Sequence, residues 1–332
     1  MIASSRPIVL ATRGSALALA QSNIVLAQCR AAFPKLAFEL RVFKTTGDKL
    51  QTAPPDLPGF PGTKGLFTKE LEVALLEGQA DLAVHSLKDL PTELPPGLKL
   101  GAVSERADVR DVLIYRAADF LASDAVHAQG KRGLRPHAAI RDFPFGATIG
   151  TGSTRRQAQL LVLRPDFKCV AIRGNVGTRL QNLADQAELD GLVLAAAGLQ
   201  RLGFQMLVNG KIQGDGSPQG LLGVYLSPEE MLPCVGQAAL GIETRTNDEQ
   251  SDAICSALDD YNTHHCVLAE RAFLQAMGGG CLSPVAAYGD LCEGQLRLRG
   301  VSFRSENGRR GELRGELDRA SDIGKRLAMD LA

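Results

Sequence analysis

Tryptophan is absent from the 332 residues, and aromatic residues reach only 5%. Stacking platforms for single-stranded nucleic acid are therefore not expected. Charge of one sign is also missing. Lys and Arg number 37, Asp and Glu number 37, and the formal net charge is zero. A non-specific grip on a polyanion usually shows as a basic excess, so no nucleic-acid partner is expected. Any anion-binding role must then fall to a local cluster. No apolar run is long enough to span a bilayer, so no membrane association is expected. The first twenty residues do not read as a signal peptide, because Arg13 interrupts a short apolar stretch, and none is expected. Seven cysteines lie at irregular spacings without a CxxC pair, which indicates neither a disulfide framework nor a metal site. A cytoplasmic protein is expected.

What is present is an ordinary globular balance, 45% apolar and 22% charged. Such a chain is too apolar for disorder. At roughly 150 residues per domain the length suggests two or three domains. A local pattern recurs: a short apolar run, a polar turn, then helical spacing. Residues 7–11 read as a strand, Thr12-Arg13-Gly14-Ser15 as a turn, and the following Leu and Ala residues as a helix capped by Ser15. The same grammar reappears at 147–163 and 169–183, while 81–85 and 191–195 read as buried strands. Strands alternating with helices imply α/β domains with largely parallel pairing. A smaller α+β unit follows from about residue 259. Residues 51–63, rich in Pro and Gly, read as a mobile loop.

Ligands of open α/β sheets bind beyond the carboxyl ends of the strands. There this chain places Arg13 and Ser15, then His85-Ser86-Leu87-Lys88-Asp89, then Thr151-Gly152-Ser153-Thr154-Arg155-Arg156, then Arg173-Gly174-Asn175, with Arg179 and Arg201 close behind. Three of these places start a helix, where free N–H groups and the dipole favour an anion. One such Arg is as readily a salt-bridge residue, and Ser15 and Ser153 are helix caps in their own right. Several cationic strand ends in a neutral chain point instead to a polyanionic small molecule in a cleft. No Gly-Lys-Ser/Thr ending is present, which disfavours nucleotide hydrolysis. Asp89 is the one carboxylate of the set. It reads either as a turn cap or as a group that stabilises a cation and moves protons. His85, on an apolar strand, reads as a core histidine. Cys281 follows Gly278-Gly279-Gly280, which is either a tight turn or an exposed thiol for covalent chemistry.

The ordered set of segments resembles the porphobilinogen deaminase (hydroxymethylbilane synthase) family over nearly the whole length. The carrying residues are Ala11–Ser15, Thr46-Gly47-Asp48, Lys64–Glu72, Ala83–Asp89, Gly150–Arg156, Arg173–Leu180, Ala197–Leu199 with Arg201, Leu232–Gln237, Ala269–Ala272 and Gly279-Gly280-Cys281. The resemblance implies two type-II periplasmic-binding-protein-like α/β domains, 1–104 with 238–258 and 105–237, plus a small α+β domain, 259–332. It implies a monomer that joins four porphobilinogen molecules head to tail with loss of ammonia, then releases hydroxymethylbilane by hydrolysis. The implied cofactor is a dipyrromethane held by a thioether to Cys281. Asp89 matches the catalytic carboxylate. Arg13, Ser15, Lys64, Lys88, Thr151, Ser153, Arg155, Arg156, Arg173, Arg179 and Arg201 match the groups that hold substrate and cofactor. Two departures stand out. Ala238 replaces a glycine common in the family, tolerable if its φ is negative. Phe60 and Pro61 occupy a loop where some members carry another Lys, which leaves Lys64. A tail of some members beyond the last helix is not expected. The competing readings are a solute-binding protein and the effector domain of a regulator. The first would produce no porphyrin colour from porphobilinogen, and the second would need an adjoining helix-turn-helix.

Overall fold

The computed structural model describes residues 6–47, 66–123, 130–280, 283–305 and 308–332, and every element named below is one of the described residues. The first sheet begins with four strands, β1 (Ile8–Arg13), β2 (Phe38–Phe43), β3 (Leu82–Ser86) and β4 (Leu98–Val103). Helix α1 (Ala16–Ala32) crosses from β1 to β2, and α2 (Lys69–Leu76) precedes β3. Ser15 caps α1 by accepting from the Ala18 N–H at 3.3 Å.

The chain then leaves for a second sheet. Its strands are β5 (Asp111–Arg116), β6 (Thr148–Gly150), β7 (Lys168–Val170) and β8 (Gly191–Ala195). The hairpin β9 (Gln205–Met206) and β10 (Ile212–Gln213) follows, and β11 (Leu221–Leu226) returns to the sheet, whose order is β11-β5-β8-β6-β7. The helices here are α3 (Ala118–Ser123), α4 (Thr154–Leu163), α5 (Val176–Asp185) and α6 (Ala196–Arg201). Strand β12 (Leu240–Arg245) then re-enters the first sheet between β3 and β4, giving the order β2-β1-β3-β12-β4. An order of this kind, with one antiparallel strand contributed after the second sheet is complete, is the type-II periplasmic-binding-protein topology. Helix α7 (Glu249–Leu258) covers that sheet beside α1, burying Ile254 and Cys255 against Leu10, Val25 and Ile242.

A third unit combines α8 (Tyr261–Ala276), an antiparallel meander β13 (Val285–Cys292), β14 (Gln295–Ser302) and β15 (Arg309–Gly315), and α9 (Ala320–Leu331). Phe273, Leu298 and Leu327 fill its core. It is tied to the two crossovers through Glu270. That buried carboxylate accepts from Arg106 at 2.5 Å, from the Gly236 N–H at 2.7 Å and from the Gly289 N–H at 2.8 Å. No helix among the described residues is long and apolar enough to cross a membrane.

Pairing is more mixed than the alternating pattern suggests. Strands β1, β2 and β3 run parallel, as do β6, β7 and β8, but β12 is antiparallel to β3 and β4, and β5 to β8 and β11. The antiparallel members are those adjoining the crossovers, where the chain changes sheets instead of returning through a helix.

Ala238 corrects one expectation. Its φ is +72°, in the left-handed region, so the condition under which a methyl is tolerated there is not met. Left-handed geometry costs a non-glycine residue roughly 1–2 kcal/mol, and glycine gives back about 0.4–1 of this through its freer unfolded chain. Ala238→Gly is expected to raise unfolding stability by about 0.5–1 kcal/mol. Equilibrium denaturation checks this, and an unchanged or lower midpoint refutes the strain.

Candidate active site

Strand β3 ends in a short 3-10 turn, Leu87–Asp89, that carries Lys88 and Asp89. The turn is set from the return segment before β12. The Leu87 N–H donates to Ala239 O at 3.1 Å, and Gly236 packs so closely that a Cβ there would stand 3.1 Å from Lys88 N. Gly236 has φ +69° as well, so position and backbone both require glycine. Asp89 lines a small cavity with Arg13, Phe67, Thr68, His85 and Ser86. The Arg13 guanidinium lies over the Phe67 ring, 4.1 Å from its centroid, which orients the cation at the end of β1. His85 is buried and meets the fully buried Glu243 at 2.9 Å, in keeping with a core histidine, although its ring also reaches the cavity wall.

Lys88 faces the second sheet. Burial pulls its ammonium below the ordinary lysine value and Arg156 pushes the same way, while Asp89, Cys234 and Asp111 oppose them. The turn of the first sheet thus lies within electrostatic reach of the start of α4. There Ser153 caps the helix, accepting from the Arg156 N–H at 3.4 Å, and Thr151 Oγ1 accepts from the Ser153 N–H at 3.2 Å. Arg155 and Arg156 are buried, and both pair with Asp111, at 2.9 and 2.7 Å. Burial alone would push the Asp111 carboxyl up, but the two arginines hold it well below the usual carboxylate range.

Asn175 caps α5, and Arg179 on that helix donates from Nε to Gly174 O at 2.8 Å. Burial and then Arg156 lower its pKa. Arg201, at the end of α6, donates to Ala238 O at 2.6 Å, and burial lowers it to about 10, so it stays charged at neutral pH. Arg173 is exposed beyond the end of β7. The structure therefore gathers Arg13, Lys88 and Asp89 on one side and Arg155, Arg156 and Arg179 on the other. Ser15 and Ser153 act first as caps. Lys64, Phe60 and Cys281 lie outside the described residues. Asp111 was not singled out from the sequence, and Gln237 stood only within a family-like segment with no role assigned. The available signal was a carboxylate opening the apolar run Val112–Tyr115, a place where a charge needs a buried partner.

Residues 8–253 match the family model for the porphobilinogen deaminase, dipyromethane cofactor binding domain, and residues 264–332 match its C-terminal domain. The chain is 41% identical to porphobilinogen deaminase of Thermus thermophilus over 329 residues, covering 98% of this chain and 95% of that protein. It is 42% identical to the enzyme of Syntrophus aciditrophicus over 324 residues, covering 96% and 93%. Among solved structures, the BenM effector binding domain with benzoate is 16% identical with a TM-score of 0.40, covering 77% of this chain and 91% of that one, too loose a likeness to bear on the site. Two adjoining family models that together span most of the chain, and near-full-length relatives at about 40% identity, show that the chain belongs to the porphobilinogen deaminase family.

Proposed function

We propose that this protein is a hydroxymethylbilane synthase, condensing four porphobilinogen molecules with loss of ammonia and releasing the linear tetrapyrrole by hydrolysis. The observation that carries the reading is the placement of Asp89 in a cavity with Arg13, on the same turn as Lys88, which lies within electrostatic reach of Arg156. Each substrate ring brings two carboxylates, and a growing chain accumulates them. A set of buried arginines in a chain of zero net charge suits that ligand.

The donor set also fits a covalently held dipyrromethane. Arg155 and Arg156 are buried, and the Nε of each has no hydrogen-bond partner among the described residues. An unpaired buried donor is costly, and a carboxylate supplies the missing acceptor. Arg155, Arg156 and Arg179 are the residues proposed to hold the cofactor's and the chain's carboxylates, with Thr151, Ser153, Arg173 and Arg201 alongside. Arg13, Ser15, Lys64 and Lys88 are assigned to the incoming ring. When bound, the dipyrromethane supplies the free pyrrole position that accepts the first substrate unit.

Asp89 does the remaining work. Its carboxylate accepts the pyrrole N–H of porphobilinogen and orients the ring. It stabilises the positive charge that develops on that ring as the amino group of its aminomethyl substituent departs as ammonia and the methylene stays on the ring. A new carbon–carbon bond then forms at the vacated methylene, and the displaced ring proton leaves with Asp89 as acceptor. Three domains, 1–104 with 238–258, 105–237 and 259–332, would let the cleft adjust as the chain lengthens. A monomeric, cytoplasmic protein is the accompanying reading. The six described cysteines are free thiols, which suits a reducing compartment.

Incubation with porphobilinogen tests the assignment. Ammonia release together with a product that cyclises to a coloured porphyrin is expected, and binding without either refutes it. Arg155→Leu is expected to raise KM about tenfold or more and to leave partly elongated complexes, since a charged hydrogen bond is worth roughly 1.5–3 kcal/mol. Steady-state kinetics with intact-protein mass spectrometry reads both effects. Unchanged affinity and elongation would remove Arg155 from the site.

A further inference from the structure

We infer that Asp111 is a positioning residue of the cleft, the carboxylate that locks Arg155 and Arg156 into one fixed pair. The inference rests on the reading of those arginines given above. Asp111 opens β5, immediately after the first crossover, and is fully buried. Its Oδ2 accepts from Arg155 Nη2 at 2.9 Å. Its Oδ1 accepts from Arg156 Nη2 at 2.7 Å and from Gln237 Nε2 at 2.9 Å. The other ends of the arginines are held by backbone, Arg155 Nη1 donating to Leu232 O at 2.7 Å and Arg156 Nη1 to Val193 O at 3.0 Å.

Three consequences follow from this geometry. Two adjacent buried guanidinium groups repel, and one carboxylate bridging both overcomes that repulsion and sets their spacing. One negative charge against two positive ones leaves the triad with a single positive charge, which a substrate carboxylate can match. Gln237 belongs to the return segment that also presses Gly236 on the Lys88–Asp89 turn, and its Nε2 donates to Val109 O on the outward crossover as well. Asp111 therefore registers the arginine pair against both crossovers. Stability alone is a weak reason for such a cluster, because apolar residues of equal volume commonly serve as well as a buried ion group.

Simple electrostatics predicts the opposite of positioning. If Asp111 only dilutes the positive charge, Asp111→Asn should tighten substrate binding. If it positions the pair, the neutral amide can accept from one arginine only, the pair separates, and binding weakens. The experiment is a cycle of Asp111→Asn, Arg155→Leu and the two combined, in the full chain, with thermal melting to establish folding. KM, kcat and the ladder of pyrrole adducts by intact-protein mass spectrometry are measured for each. Positioning predicts that Asp111→Asn raises KM about tenfold, with kcat changed less, and stalls the ladder early. It also predicts non-additivity, the double variant lying within about twofold of the worse single one, because both act through one contact. Tighter or unchanged binding in Asp111→Asn, or additive effects, overturns the proposal while leaving the arginine reading intact. An Arg155→Leu protein with normal KM and ladder overturns both. Should Asp111→Asn not fold, Gln237→Leu decides. A KM raised about threefold supports the role, and an unchanged KM overturns it.

Discussion

Asp89→Asn is expected to lower kcat at saturating porphobilinogen by about a hundredfold or more while the protein still folds and still carries its pyrrole adduct. The amide has the size of the carboxylate, so the turn Leu87–Asp89 keeps its contacts with Ala239 and Gly236. What it lacks is charge. The departure of ammonia places positive charge on a ring inside a cavity walled by Phe67, Thr68 and His85, where little water can substitute for a missing anion. Arg13 in the same cavity cannot help, because its sign is wrong for that cation. Single-turnover measurement of ammonia release separates this from a binding defect. Release at the normal rate would take Asp89 out of the proposed role.

Cys281→Ser is expected to abolish the adduct and with it most of the activity. The choice of Cys281 rests on the family resemblance, and burial gives a physical reason against several of the other thiols. Burial pushes Cys29, Cys255 and Cys266 up to about 12, so they stay protonated and unreactive at neutral pH. Cys169 is raised by burial as well. Cys234 lies close enough to Lys88 to act on it, which makes it the informative control. Cys234→Ser is expected to retain both adduct and activity. Mass spectrometry under denaturing conditions should find the unreacted enzyme heavier by two substrate-derived pyrroles, with further units added after brief exposure to porphobilinogen. An adduct mapped to any other cysteine, or a fully active unmodified protein, contradicts the assignment and the function built on it.

The sequence by itself determined the local elements and the identities of the charged groups at their ends. Ser15 and Ser153 were legible as helix caps because a cap acts within three residues, and in the structure each accepts from the N–H three positions on, as Asn175 also does. The apolar runs of β1, β3 and β8 were legible for the same reason, since burial of a central strand is written along a few consecutive residues. The cationic strand ends and the lone Asp89 followed directly. Only the tertiary structure decided how these parts face one another. Strand β12 enters the first sheet antiparallel, after the whole second sheet has intervened, and no local period announces such a partner. Asp111 meets Arg155 and Arg156 across 44 and 45 residues, and His85 meets Glu243 across 158. Ala238 carries a positive φ that its own type disfavours, imposed by the crossover that must bring Gly236 against the Lys88–Asp89 turn. Charge type and helix phase are properties of neighbours in the chain. The pairing of a buried charge, and the sign of a dihedral in a crossover, are settled by which distant segment packs there.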